Sequence, residues 1–276
     1  MSMNQMYNNH IGQNMPDMTI EEMESLARDS EYYCNLLAYC YENGIKVPSK
    51  NLDEAFELLY YSTYELESLW GRFRLAYYYF NGWGVKRSKK KARLLWLSIY
   101  DEINADFSKG LEVDEEKISP LTKEIYRDVT YNLGYYQMRR VGTYANIPMA
   151  IMYFDKSAKM HNRKAFNALI YIYSKKRKYK NIEKAFYYRR MLCESKSATS
   201  VDFLNVAGCY QKGIGTEIDF TKGFEYLLKA ADMDNYEAIH LVSRCYADGM
   251  GVTQDIKKAE RYLIKALCMN QQLPKE

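Results

Sequence analysis

The chain has 276 residues, 47% hydrophobic and 27% charged, with a net charge of +4. This is an ordinary composition for a folded protein, and the positive balance is too mild to argue for nucleic acid by itself. Only 5 prolines and 14 glycines leave most of the chain free to be helical. No apolar run approaches the ~20 residues that a membrane span requires. The first 18 residues lack the basic and then apolar order of a signal peptide, so a cytoplasmic protein is expected.

Residues 1–18 are rich in Asn and Met and have little to bury, so a disordered tail is predicted there. From Thr19 the pattern becomes helical. Ile20, Met23, Leu26 and Ala27 recur at helical spacing, and Thr19 with Glu22 fits a capping box. Residues 19–103 read as an N-terminal helix followed by two repeats. Residues 104–119 read as an inserted loop with an acidic run, Glu112, Asp114, Glu115 and Glu116. Ser119-Pro120 then caps and opens a helix to about Arg140, and residues 120–272 hold four further repeats.

Internal repetition is the strongest signal. Tyr210-Gln-Lys-Gly213-Ile-Gly215 recurs as Tyr246-Ala-Asp-Gly249-Met-Gly251, 36 residues later. The same shift carries Asp219 onto Asp255, Gly223 onto Ala259, Tyr226 onto Tyr262 and Ala230 onto Ala266. Tyr79-Phe-Asn-Gly82-Trp-Gly84 is an earlier copy, and weaker ones begin near Tyr33, Val129 and Ala165. Six repeats are counted, each predicted as helix, turn, helix. Ala38, Ala76, Gly134, Ala207 and Ser243 place a small residue at one point of the first helix, where Ile170 stands in the fourth repeat. Gly82, Gly84, Gly213, Gly215, Gly249 and Gly251 are the structural turn residues, because a left-handed helix end is easiest for glycine. Ser88, Asp219 and Asp255 are candidate caps of the second helices.

The last repeat, with Ala238, Val242, Tyr246, Gly249, Gly251, Val252, Asp255, Ala259, Tyr262 and Ala266, resembles the Sel-one-like repeat family, relatives of the tetratricopeptide repeat. The resemblance spans about residues 30–270. It is strong in repeats two, five and six, and weaker in one, three and four, which lose part or all of the glycine turn. It implies an all-α, right-handed superhelical solenoid of about six helix-turn-helix repeats and a scaffold or adaptor role.

On a helical wheel the signature residues of the first helix share one arc, which is the expected core. The position six residues after the signature alanine points away from it. Its occupants are Tyr39, Tyr77, Tyr135, Tyr171, Gly208 and Arg244. Flanking positions add Phe73, Phe80, Tyr131 and Met138. In the resembling family this face lines a concave surface. The expected partner-binding set is therefore Tyr39, Phe73, Tyr77, Phe80, Tyr131, Tyr135, Met138, Tyr171 and Arg244, which would hold a peptide segment or helix of another protein. The same rings could instead pack within the molecule, and the sequence leaves both readings open.

Basic clusters, Lys86–Arg93 and Lys175–Lys180, fall at turns within repeats, and acidic residues favour turns between repeats. One basic and one acidic edge are predicted. A regulatory subunit that uses the basic edge for an acidic partner or nucleic acid is the alternative function. Nucleic acid is the weaker option, because the aromatic column and basic turns fall on different surfaces.

Catalytic patterns are absent. The three histidines, His10, His161 and His240, lie apart, with no HExxH, and no GxSxG elbow occurs. Neither an enzyme nor a cofactor or metal is expected. The cysteines, Cys34, Cys40, Cys193, Cys209, Cys245 and Cys268, form no CxxC pair and mostly sit on apolar faces, where buried free thiols are predicted.

Overall fold

Six closing hydrogen bonds, one per repeat, define the architecture. The computed structural model describes residues 15–105, 119–139 and 145–271. Among these residues there are helices and turns and no strand. The chain divides into two compact units, Met1–Met160 and His161–Glu276.

The first unit begins with α1 (Ile20–Ala27) and holds three helix pairs: α2 (Glu31–Asn43) with α3 (Leu52–Tyr64), α4 (Leu69–Asn81) with α5 (Lys89–Ala105), and α6 (Pro120–Arg139) with α7 (Ile147–Lys159). The second unit pairs α8 (Arg163–Lys175) with α9 (Ile182–Cys193), α10 (Ser200–Lys212) with α11 (Phe220–Ala231), and α12 (Tyr236–Asp248) with α13 (Ile256–Gln271). Within each unit every helix packs on the next in chain order. No pair could bury its apolar side alone; stacking supplies the core.

Each turn within a repeat is closed in the same way. The backbone N–H of the residue before the second helix donates to a carbonyl near the end of the first. The pairs are Asn51 to Tyr41, Ser88 to Tyr79, Asn146 to Gln137, Asn181 to Tyr173, Asp219 to Tyr210 and Asp255 to Tyr246, all at 2.8–3.0 Å. The side chain of that same residue caps the second helix. Asp219 accepts from the Lys222 N–H at 2.9 Å, Asp255 from Lys258 at 2.9 Å and Ser88 from Lys91 at 3.3 Å. Asn51, Asn146 and Asn181 do the same in the weaker repeats. In four repeats the third residue of the second helix then lays its ammonium over the ring of the signature tyrosine: Lys91 on Tyr79, Lys184 on Tyr173, Lys222 on Tyr210 and Lys258 on Tyr246, at 4.8–5.7 Å. The fourth repeat lacks the glycine pair. It uses a 3₁₀ turn, Arg177–Tyr179, and makes the same closing bond.

The two glycines of the turn have different duties. The first, as at Gly249 (φ 68°), ends its helix in the left-handed region, and a Cβ there would meet nothing closer than 3.5 Å. The second packs against the preceding repeat. A Cβ on Gly251 would lie 2.0 Å from the carbonyl oxygen of Phe220, the first residue of α11, and one on Gly84 2.1 Å from that of Leu52, the first residue of α3. Repeat one places Lys46 at this position, also with positive φ (62°). The helix that packs ahead of this repeat is α1, and the Lys46 ammonium donates to the carbonyls of Pro16 and Met18, just before α1 begins, at 3.0 and 2.7 Å.

Those two bonds alter one expectation. The tail predicted as disordered through residue 18 is held from Pro16 onward, and Met15 and Met18 pack on the core; Lys46, far away in sequence, does the tethering. Thr19 and Glu22 form the predicted capping box. Ser119 accepts from the Thr122 N–H at 3.1 Å, so the helix opened by Pro120 begins where expected. The acidic run Glu112–Glu116 lies outside the described residues. The small-residue column is buried throughout, and a Cβ on Gly134 would meet the Phe154 ring at 2.7 Å. Cys34, Cys40, Cys193, Cys209 and Cys245 are free and buried; Cys268 is free and exposed.

The division of labour between the glycines gives an ordered pair of outcomes. Gly249→Ala adds only the strain of a Cβ at positive φ, about 1–2 kcal/mol. Gly251→Ala adds that strain and must also push the helices apart, so its loss in urea unfolding is expected to be clearly the larger. Equal losses would mean that the second glycine has no stacking role.

Candidate partner-binding face

The first helices, α2, α4 and α6 of one unit and α8, α10 and α12 of the other, carry the predicted positions, and the two units differ there. In α12 the core arc is as read from the wheel: Ala238, Ile239, Val242, Ser243 and Cys245 are buried, while Arg244 points out and is exposed. Tyr171 of α8 is 49% exposed, with the Lys176 ammonium over its ring. In the first unit the equivalent rings turn inward. Tyr39 and Phe73 are buried, at 7% and 0% exposure, so neither stands on a wet face as expected. Tyr77, Phe80, Tyr131, Tyr135 and Met138 are half-buried.

Ring packing explains the difference. Phe73 contacts Trp70 and Tyr77, at centroid separations of 5.5 and 5.2 Å. Tyr77 and Phe80 both meet Trp96 of α5, and Phe80 also meets Tyr136 of α6. The Tyr77 hydroxyl accepts from Asn132 Nδ2 at 2.8 Å, tying α4 to α6. Burial, and after it the nearby Asp128 charge, push the Tyr77 phenol well above its ordinary range. These rings complete the core of the first unit. Tyr135 remains open enough to sit beneath the Arg139 guanidinium, 5.4 Å from its centroid.

The second unit has a groove instead. About 580 Å³ opens along α10, from Val201 in its first turn to Lys212 in its last, between α8 and α9 on one side and α12 on the other. Leu204, Gly208 and Ile214 lie along it, with Phe186 and Arg189 from α9 and Leu241 from α12. Gly208 occupies the column position that holds tyrosine in repeats one to four. The signal for this groove was present in the sequence as the one glycine in that column, but the contribution of α9 was not.

Two ion pairs that were not foreseen fix the frame. Arg74 of α4, fully buried, pairs with Glu42 of α2. Arg163 of α8 forms a fork with Asp202 of α10, Nη1 to Oδ2 at 2.6 Å and Nη2 to Oδ1 at 3.0 Å, and also donates to the Ser197 carbonyl. Asp202 accepts from the Thr199 N–H and hydroxyl as well, at 2.8 and 2.7 Å. Burial opposes the Asp202 charge, but the bonds from Arg163 and Thr199 outweigh it and hold the carboxyl below its ordinary value. Among the described residues no group of three or more His, Cys, Asp or Glu could hold a metal ion, and no helix is long and apolar enough to cross a membrane.

Stacked helix pairs of this length and turn chemistry define an α-helical repeat protein. The chain belongs to the Sel1 repeat family: its model, described as "Sel1 repeat", matches residues 32–62, 71–101, 128–162, 168–196, 204–235 and 237–270, which is six repeats. Among solved structures, a Sel1 repeat protein from Oxalobacter formigenes is 19% identical, with a TM-score of 0.56 over 96% of this chain and 98% of that one. It supports the fold. A protective antigen of uropathogenic Escherichia coli with an SLR fold is 18% identical, with a TM-score of 0.40 over 92% of this chain and 60% of that one. No curated protein matches the chain.

Two measurements separate packing from surface. Tyr77→Ala removes a core ring and is expected to cost about 2–4 kcal/mol in chemical unfolding, against under about 0.5 kcal/mol for Tyr171→Ala. Asp202→Asn loses charge-assisted bonds worth about 1.5–3 kcal/mol at pH 7. Because the folded carboxyl titrates below the unfolded one, that advantage of the wild type is full above the unfolded pKa, about 4, and fades as pH falls through the folded value. The gap between the urea midpoints of the two proteins should be smaller at pH 2.5 than at pH 7. A gap that does not shrink would mean that the ionised carboxylate is not the source.

Proposed function

We propose that this chain is a non-catalytic scaffold that holds a segment of a protein partner against the open side of its first helices. Sel1 repeat proteins are generally protein-interaction scaffolds, and this chain carries six repeats of that family. The observation that carries the reading further is the groove along α10, wide enough for a peptide and floored by the face where a ring is missing. Tyr171 and Arg244 are the exposed contacts, with Phe80, Tyr131, Tyr135 and Met138 as half-buried ones. Tyr39, Phe73 and Tyr77 belong to the packing of the first unit and are not among the proposed contacts. A cytoplasmic setting fits the five buried free thiols.

The basic-edge alternative has less support. Lys91 and Lys184 lie on tyrosine rings of their own repeats, and the Arg87 Nε donates to the Phe80 carbonyl at 2.9 Å. These charges have local structural work.

Affinity capture from source lysate at moderate salt tests the reading, with wild type compared to Tyr135→Ala/Tyr171→Ala after circular dichroism has verified both folds. A prey lost only by the double variant is the expected result. A prey kept by that variant, but lost by Lys86→Gln/Lys90→Gln or by a modest rise in salt, would transfer the function to the basic edge.

A further inference from the structure

Gly208 lies inside α10, where a glycine weakens a helix relative to alanine. The other described helical glycines have a packing reason. A Cβ on Gly71 would meet Ser62 Oγ at 2.6 Å, one on Gly134 the Phe154 ring at 2.7 Å, and one on Gly223 the Gln211 side chain at 3.0 Å. A Cβ on Gly208 would meet nothing within 4 Å. Packing within the chain therefore does not require this glycine. What it produces is the hollow in the floor of the groove, where other repeats place a tyrosine.

The lining is apolar with an uneven charge. Val201 and Ile214 stand at the two ends of the groove, both substantially exposed (55% and 45%), and Leu204 and Leu241 lie between. An open apolar surface of this kind favours a bound apolar side chain. The charged groups that face it are Arg189, Lys212 and Glu237. Arg189 is half-buried. Neither it nor Lys212 forms a salt bridge among the described residues; the nearby Asp202 is already held by Arg163. Arg189 of α9 and Lys212 of α10 both line this one groove, as does Cys209. With Glu237 the one carboxylate on the lining against two cations that form no salt bridge among the described residues, the balance favours an anionic occupant. The stretch from Val201 to Lys212 is about 16 Å at 1.5 Å per residue, the reach of about five extended residues.

We infer that the hollow above Gly208 is an anchor pocket for one large apolar side chain of an acidic partner peptide, with Arg189 and Lys212 taking the flanking carboxylates. This rests on the scaffold reading and narrows it to one site and one ligand chemistry.

Peptide display on the purified full chain tests the assignment, with enriched sequences remeasured by fluorescence anisotropy. Enriched peptides are expected to carry an aromatic or large aliphatic residue beside Asp or Glu. Gly208→Ala adds helix propensity without filling the hollow, so it should bind within about twofold of wild type and melt no lower. Gly208→Tyr should melt no lower and bind about tenfold or more weakly, a loss of about 1.4 kcal/mol per factor of ten. Arg189→Gln/Lys212→Gln should weaken binding similarly and erase the preference for Asp and Glu over Asn and Gln in the peptide. Enrichment of basic or uncharged peptides, no enrichment, or equal binding by Gly208→Tyr each overturns the pocket. Peptides that Gly208→Tyr binds unchanged, but that Tyr135→Ala/Tyr171→Ala has lost, overturn the pocket and leave the scaffold reading standing.

Discussion

The approach of one turn to the start of the preceding repeat's second helix is the constraint on which the array depends. At Gly84, Gly215 and Gly251 the backbone comes so near a carbonyl of the earlier repeat that a Cβ would overlap it. This contact sets how closely repeats stack, and so how much apolar surface each first helix can bury against its neighbour. The burial of Ala76, Ala207 and Ser243 follows from that spacing. The turn itself rests on the closing hydrogen bond and the cap. These occur in all six repeats, including those without a glycine pair, which is why degenerate repeats can still join the stack.

Most of the fold could be read from residue patterns, because a repeat multiplies a weak local signal. One Tyr-x-x-Gly-x-Gly segment means little; three copies, two of them 36 residues apart and each followed by a cap, leave few alternatives. Ser88, Asp219 and Asp255 were identifiable as caps because capping is local chemistry. The exposure of the tyrosine column was only partly legible. A helical wheel tells which way a side chain leaves its own helix, and it was right for Arg244 and Tyr171. It says nothing of what arrives from elsewhere, and in the first unit Trp96 and Tyr136 arrive to cover Phe80 and Tyr77. The tether of Pro16 and Met18 by Lys46, and the Arg163–Asp202 fork, were hidden for the same reason: each joins residues about 30 or more apart with no pattern to announce them.

The two units treat the same repeat positions differently. The first spends its aromatic residues on internal cohesion, so helices α4, α5 and α6 are joined by rings as well as by aliphatic packing. The second leaves a hollow with Arg189 and Lys212 beside it, neither in a salt bridge among the described residues. Repeat architecture permits this, because each repeat needs only its neighbours for stability and its outward positions can change independently. A lysine over a signature tyrosine also shows how a basic side chain can be structural. Charge counts along the sequence therefore overstate the charge available to a partner.

Lys46 shows a second way to join a turn to the helix before it. It stands where later repeats have their docking glycine, and its backbone shares their left-handed conformation. Where a glycine lets bare backbone meet the start of the preceding helix, this lysine reaches with its ammonium to carbonyls just ahead of α1. The same turn can therefore meet the helix before it closely or at arm's length, and the residue at one position decides which.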